Sequence, residues 1–514
     1  MNQGTHLRLS REGLSLSHIF SHRSELCRET AIQSEHWVNR SSTMYQVERE
    51  VGAWAAALFG DCELGDARRT RRLVQTVSLL ASRVGASPLK ASAGDGAASE
   101  GAYRLIRNDA VEASAIAAGG FEATVGAARA CGTLLAVEDT TVLSYEHEGS
   151  ESLGDLGGPE SSEKRGYHVH SALLLDAESG RTLGLVEQRM WCREGRGSRH
   201  QRRERPYEDK ESSKWGRASS SMRERLGELM PRVVSVCDRE ADVYEYLREK
   251  VQRGERFVVR AAWDRGVVAE EARYLFEQLE SSPVVGRHRV RIGQRGGVQA
   301  RKSREVELEL RSSGVTLRAP TRDRSLGELR LNAVLAREVG AARGKAGVSW
   351  LLLTSEPVGD EAGVRRVLSY YALRWRVEEF HKAWKSGTQV EARRMQSAGN
   401  VARIATMLAF VAVRVLQLRE VLEAAGTVPE RFCTGVLDDT EWRVLWLTTE
   451  KKPLPKTPPP LRWAYERVAK LGGFIDTKRT GRAGWEAMWT GWFVLQERVR
   501  GYRLALGLAT DAEM

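Results

Sequence analysis

Six cysteines in 514 residues (Cys27, Cys62, Cys131, Cys192, Cys237 and Cys433) stand apart from one another, with no CxxC pair among them. That scatter argues against a zinc ribbon and against a disulfide framework, and it fits a reducing cytoplasm. The ten histidines show no HExxH or other ligand spacing, and no Gly-rich phosphate loop is present, so no nucleotide cofactor is expected. No uninterrupted apolar run reaches membrane-spanning length. The best candidate, Thr406 to Leu418, is cut by Arg414, so no membrane partner is expected either. Acid is the charge in shorter supply. Lys and Arg number 79 against 68 Asp and Glu, and the net charge of +11 favours a polyanionic partner, although such an excess also serves solubility.

The 41% hydrophobic content supports real cores, and a chain of this length should hold two to four domains. Residues 1–43 are rich in Ser, His and Arg, lack sustained periodicity and contain no signal-peptide core. They read as a disordered leader, with translation naturally starting at Met44; the rival reading is an additional DNA-binding arm. From 44 to 115 the pattern is helical. Arg68, Arg69, Arg71 and Arg72 crowd one helix beginning, where guanidinium groups and the positive end of the dipole both attract phosphate. A bare arginine cluster is more often a solvated face. Between Trp191 and Trp215 a second arginine cluster, spanning 193–205, reads as a surface loop able to touch DNA nonspecifically.

The densest chemistry lies in Tyr371 to Lys385, YALRWRVEEFHKAWK. Nothing in it breaks a helix. At about 100° per residue, one narrow stripe carries Tyr371, Arg374, Glu378 and Lys385 over about 21 Å, a length suited to a run of phosphates with one acid in its middle. Glu379 points elsewhere and reads as a bystander. The plain alternative is a solvated helix with a Glu378–Lys382 ion pair. Metal-dependent phosphoryl transfer would need two further acids, held rigidly near the carboxyl ends of neighbouring strands. Asp139 follows the apolar run Leu134 to Val137, and Asp238 follows Val233 to Cys237. Acids at strand ends are also common turn formers and helix N-caps.

Taken together, these strings resemble the DDE transposases of the Tn-five type, a bacterial insertion-sequence family with the signature Y-x2-R-x3-E-x6-K. Tyr371, Arg374, Glu378 and Lys385 fill the four signature positions, and EDTT, CDREAD and LGDARRTRRL resemble other segments of the family. The resemblance implies an α/β fold with an RNase H-like catalytic core over 116–426, interrupted by a β-strand insertion at about 264–344. An all-α DNA-binding domain (44–115) would precede it, and a linker with a helical dimerisation domain (427–514) would follow. It further implies that Asp139, Asp238 and Glu378 hold two Mg²⁺ ions, with Mn²⁺ substituting. Arg68, Arg69, Arg71, Arg72, Arg260, Trp350, Tyr371, Arg374, Trp375, Lys382 and Lys385 would contact double-stranded DNA, with Trp350 taking up a flipped base. Taken alone, Arg260 reads equally well as a strand-end residue facing water, and Trp350 as core. The implied activity is cut-and-paste transposition by a homodimer acting at inverted terminal repeats, in a bacterial cytoplasm at the nucleoid. Two other classes stay open: a non-catalytic DNA-binding regulator derived from a transposase, and a standalone RNase H-like nuclease.

Overall fold

A ten-stranded sheet forms the centre of the fold, its middle strands buried along most of their length and its shortest strand, Gly154–Asp155, lying at one edge. The computed structural model describes residues 50–147, 152–156, 165–193, 205–292, 304–340, 347–424, 432–475, 483 and 485–512. The expected leader and most of the arginine-rich loop lie outside these residues.

Three antiparallel strands come first: β1 (Leu134–Tyr145), β2 (Arg165–Asp176) and β3 (Thr182–Trp191). A helix, α5 (Lys214–Leu226), leads to β4 (Val233–Cys237), and α6 (Tyr244–Gln252) leads to β5 (Arg256–Arg260). β4 lies parallel to both β1 and β5. The sequence pattern places the end of the first strand at Asp139, but β1 runs on to Tyr145. Its parallel partner stops at Glu138↔Cys237, while pairing with β2 continues to Tyr145↔Arg165 and satisfies the backbone of the extra residues.

The β-rich stretch anticipated after β5 is present. It contains a short helix, α7 (Leu275–Ser281), then β6 (Val284–Ile292), β7 (Arg304–Leu317) and β8 (Leu329–Glu338). It is an extension of the central sheet, because β9 (Ser349–Thr354) pairs with β5 on one side and β8 on the other.

Helices cover both faces. On one side Leu135, Val137, Val234, Val236 and Val258 pack into a core shared with α1 (Val51–Phe59), α2 (Ala67–Ser82), α3 (Gly96–Ile106) and α4 (Ala113–Ala128). The same core takes in α8 (Glu361–Leu373), α9 (Trp375–Lys382) and α10 (Ala398–Ala424). On the other side Leu134 and Ala136 meet Met222 and Leu226 of α5, and Cys237, Phe257 and Val259 meet Trp215, Tyr246 and Leu247.

α10 contains the apolar run that Arg414 cuts. Its residues Ala398–Val421 are long and apolar enough to cross a membrane, yet 89% of the most apolar window is buried inside the protein. Its arginines do not interrupt the helix because each is partnered. Arg403 donates to the carbonyls of Val111 and Ile106 and pairs with Asp109, and Arg414 lies over the Trp54 ring.

The carboxyl-terminal helices α11 (Asp439–Thr449), α12 (Leu461–Leu471) and α13 (Trp485–Ala512) share a core of their own. α11 falls in the stretch anticipated as linker, and a capping box between Asp438 and Glu441 starts it. Trp489 and Trp492 pack against cores, and the side chain of Trp485 lies outside the described residues.

Phe410 of α10 is wedged between Phe59 and Phe121, with ring centroids 5.4 and 5.8 Å away. It lies so close to α4 that a Cβ on Gly120 would fall 2.2 Å from its ring. Gly120→Ala is therefore expected to lower unfolding free energy by about 1–3 kcal/mol by overpacking, despite the better helix propensity of Ala. Urea denaturation checks this, and a stability equal to or above wild type would refute the close approach.

Candidate active site

Side chains alternate across a strand, so Asp139 shares the face of Leu135 and Val137. By the same alternation Asp238 shares the face of Val234 and Val236, and Arg260 that of Val258. All three therefore belong to the face covered by α8 to α10. β1, β4 and β5 are neighbours, about 4.8 Å apart. Asp139 and Asp238 each follow directly on the last parallel pair, Glu138↔Cys237, and Arg260 directly on Val259, the partner of Cys237. The row stands at the carboxyl end of the parallel strands. Asp238 also caps the turn Arg239–Ala241 by accepting from the Glu240 amide at 2.9 Å, so the turn-forming role of such an acid is realised as well. The Arg260 guanidinium donates to the Ser349 carbonyl at 3.2 Å.

Glu378 arrives from the helical side. The continuous helix expected over Tyr371–Lys385 is interrupted. α8 ends at Leu373 and α9 begins at Trp375, joined through Arg374 by i→i+3 bonds from Arg374 N–H to Tyr371 and from Val377 N–H to Arg374. A π-helical turn, Ala383–Gly387, follows α9 and moves Lys385 off its place on an ideal wheel. That wide turn accommodates the buried Trp384, whose indole N–H donates to the Ala405 carbonyl at 3.0 Å.

The three acids meet electrostatically around one guanidinium. Arg374 pairs with Glu378, and the charges of Asp238 and Asp139 also stabilise its protonated form, against the cost of burial. Glu378 is pushed up to about 7, first by burial and then by the charges of Asp139 and Asp238, which together outweigh the pull of Arg374. Asp139 is held down at about 2. Burial opposes its ionisation, and a hydrogen bond and charge from His381, the charge of Arg374 and the Thr140 amide overcome that cost. Side-chain exposures of 16% for Asp139, 19% for Glu378 and 12% for Arg374 leave the cluster largely enclosed but open at one side.

Other residues singled out in the sequence fall in different places. Tyr371 and Trp350 are buried, at 5% and 4% exposure, and pack edge-to-face with centroids 5.0 Å apart. As folded, then, Trp350 is core and presents no open face to a base. Trp375 is half-buried and Lys382 is exposed. Glu378 takes Arg374, four residues before it, as its ion-pair partner in place of Lys382. Lys385 is half-buried and reaches Glu391 at 3.9 Å, with burial depressing its pKa.

At the amino-terminal cluster Arg68 pairs with the helix-capping Asp66 and Arg69 donates to the Leu64 carbonyl. Arg72 lies against Gly101, and Arg71 is exposed. Glu379, about 100° round the helix from Glu378, lies between Arg376 at 2.9 Å and Arg419 at 3.0 Å, an ion network that anchors α9 to α10.

Two features escaped the sequence reading. His381 is buried, with Nδ1 3.6 Å from Asp139 and no hydrogen-bond partner for Nε2 among the described residues. Its signal was its spacing, since three residues after Glu378 it shares that side of the helix. Behind the row, on the opposite face of β1, Glu138 accepts from His170 at 3.2 Å and from the Cys237 thiol at 3.7 Å.

Carboxylates are the hard donors that Mg²⁺ or Mn²⁺ prefers, and the excess of negative charge that raises Glu378 is what a divalent cation would neutralise. The donor set fits such ions in kind. Its spacing is closed by protein cations. Among the described residues no group of three His, Cys, Asp or Glu side chains stands at ligating distances, and Arg374 occupies a Glu378 oxygen.

Comparison with protein families gives two matches. A model described as Transposase DNA-binding matches residues 51–111, and one described as Transposase Tn5 dimerisation domain matches residues 411–510. The second is continuous across the stretch after Gly426, where the sequence resemblance was thin. The acid cluster lies between the two matched segments.

Two measurements probe the site without any assay of activity. Because the folded pKa of Glu378 is above its ordinary value of 4.5, the folded chain binds this proton more tightly than the unfolded one. The resulting stability is full below the unfolded pKa and is lost as pH rises through about 7. In metal-free buffer, Glu378→Gln should raise the thermal midpoint at about pH 8 and change it little near pH 4, and an equal shift at both would contradict the raised pKa. Glu379→Ala, by contrast, should cost about 3–5 kcal/mol in urea denaturation, since it leaves buried arginines short of counter-charge. A change below about 1 kcal/mol would remove the network from the account of stability.

Proposed function

The chain belongs to the transposases of the Tn5 type, and we propose that it is a cut-and-paste DNA transposase acting at inverted terminal repeats. One observation carries the catalytic part of this reading: Asp139, Asp238 and Glu378, distant in sequence, converge around Arg374 at the carboxyl end of a parallel strand pair. The order of three antiparallel strands, a helix and two strands parallel to the first supports an RNase H-like core.

Asp139, Asp238 and Glu378 would together hold Mg²⁺, with Mn²⁺ able to substitute. Such ions, when bound, make a water or hydroxyl nucleophilic and neutralise charge on the transferring phosphoryl group. The chain's own part is positioning. The two aspartates are fixed by the sheet, and Glu378 comes from a helix tied down through Glu379. Arg260, Arg374 and Lys385 offer cationic groups to the DNA backbone around them. The reaction proposed is nicking at the transposon end, attack of the freed 3′-hydroxyl on the opposite strand to form a hairpin, reopening of the hairpin, and transfer of the 3′ end into target DNA. The dimerisation domain would bring two ends together, and the expected place of action is the bacterial nucleoid. A DNA-binding regulator would have no use for three converging acids, and a standalone nuclease would have none for the amino-terminal and carboxyl-terminal domains.

The test incubates purified protein and Mg²⁺ with a labelled fragment ending in the flanking inverted repeat. Nicked, hairpin and blunt products are expected, with Asp139→Ala and Glu378→Ala each at least about 10³-fold slower. Binding without cleavage by wild type would favour the regulator, and indifferent cutting of RNA–DNA hybrids would favour the nuclease. Arg71 is exposed, whereas the equally exposed Arg68 is paired with Asp66, so Arg71→Ala should weaken binding and reduce the log–log salt slope by about 1. An unchanged slope measured by anisotropy would show that Arg71 makes no phosphate contact.

A further inference from the structure

β1 outruns its parallel partner, and beyond Glu138 it has a strand on one side only. On the other side a side chain stands where a strand would. Glu391 accepts from the Ser144 N–H at 2.9 Å, and the same oxygen lies 3.9 Å from the Lys385 ammonium. One carboxylate thus joins the extension of the strand that carries Asp139 to a cation on the turn that follows the helix of Glu378.

Glu391 is itself held in place. Thr388 closes the π-helical turn, its N–H donating to the Ala383 carbonyl at 2.9 Å and its hydroxyl to the Trp384 carbonyl. Arg393 donates back to the Thr388 carbonyl. Gln389 then reverses the chain with φ at +51°, and a 3₁₀ turn, Val390–Ala392, seats Val390 in the core and presents Glu391 to Ser144.

A carboxylate is out of character at this place. The protein carries a net charge of +11, and an acid beside Lys385 repels the polyanion that the lysine would attract. Its two contacts supply the reason for it. The π-helical turn takes Lys385 off the helical stripe, and burial opposes its charge, which Glu391 and then Asp139 support. Lysine reaches out on a flexible four-carbon stem, whose freedom is lost when it grips a phosphate. An ammonium held in advance has less to lose. With three donors, it can face Glu391 and a phosphate oxygen together.

We propose that Glu391 is a positioning residue that holds the Lys385 ammonium ready for a phosphate of the DNA strand at the acid cluster. This rests on the reading of Lys385 as a contact to the DNA backbone. The extension of β1 serves the same end, since Ser144 fixes the carboxylate that fixes the lysine.

The experiment uses the full chain in metal-free buffer with a labelled duplex ending in the flanking inverted repeat, and anisotropy is read across a range of salt. Lys385→Ala should weaken binding and lower the log–log salt slope by about 1, as one phosphate contact is lost. Glu391→Gln keeps an oxygen for the Ser144 N–H, so its thermal midpoint should stay near that of wild type. Although it removes a negative charge, it should weaken binding about three- to tenfold and take away most of the same unit of slope. In the double variant, Glu391→Gln should cost nothing beyond Lys385→Ala. Glu391→Gln that binds as well as wild type, or more tightly, would overturn the proposal. A further loss in the double variant, or a Lys385→Ala slope equal to that of wild type, would do the same. Cleavage with Mg²⁺ is scored separately. Wild type that shows this binding pattern without cutting would remove the catalytic reading and leave the pair. Wild type that cuts while Glu391→Gln binds unchanged would remove the pair alone.

Discussion

Three carboxylates gathered in a largely enclosed cleft repel one another, and at low effective dielectric that repulsion fades slowly with distance. The cluster exists because the surrounding structure overrides it. The sheet fixes Asp139 and Asp238 one strand apart, and Arg374 places a guanidinium where the three negative fields overlap. His381 secures Asp139 from the side. The imbalance that remains falls on Glu378, the acid supplied by a helix, whose affinity for protons rises accordingly. A site built this way is under electrostatic tension that cations of higher charge would relieve. Arg374 is the group that would have to yield an oxygen of Glu378 to them.

Much of the molecule serves to hold that helix. α9 is pinned on its far side by Glu379 between Arg376 and Arg419, and Glu420 in turn accepts from the Thr182 hydroxyl and amide. These bonds link the acid-bearing helix to α10 and to β3. α10 carries Phe410 into the amino-terminal helices, so the DNA-binding segment and the acid cluster share one hydrophobic core. Burial of a nearly continuous apolar helix provides the rigidity, and the paired arginines within it satisfy their charge locally.

Adjacent acids show how far the sequence could be read. Glu138 and Asp139 both follow an apolar run, as Glu378 and Glu379 both sit in one helix. Helical arithmetic separated the second pair, because the two residues point about 100° apart. It did so although the helix is interrupted at Arg374, since both glutamates lie within α9. For the first pair, alternation says that one residue faces each side of the sheet, without saying which side is lined by acids. Pairing with β4 and the packing of α9 decided that Asp139 meets Glu378, while Glu138 meets His170 and Cys237.

The amino-acid sequence by itself determined the strands and helices that carry the acids, the β-rich stretch after β5, and the membership signalled by four spaced residues, because these depend on local periodicity and residue type. Tertiary structure alone decided that β1 outruns its parallel partner, that Trp350 and Tyr371 pack on each other, and that Glu391 lies between Ser144 and Lys385. It also decided that α10 is core. The physical reason is common to all four: exposure and electrostatic environment are set by what packs opposite a residue, and that neighbour lies up to hundreds of positions away in the chain.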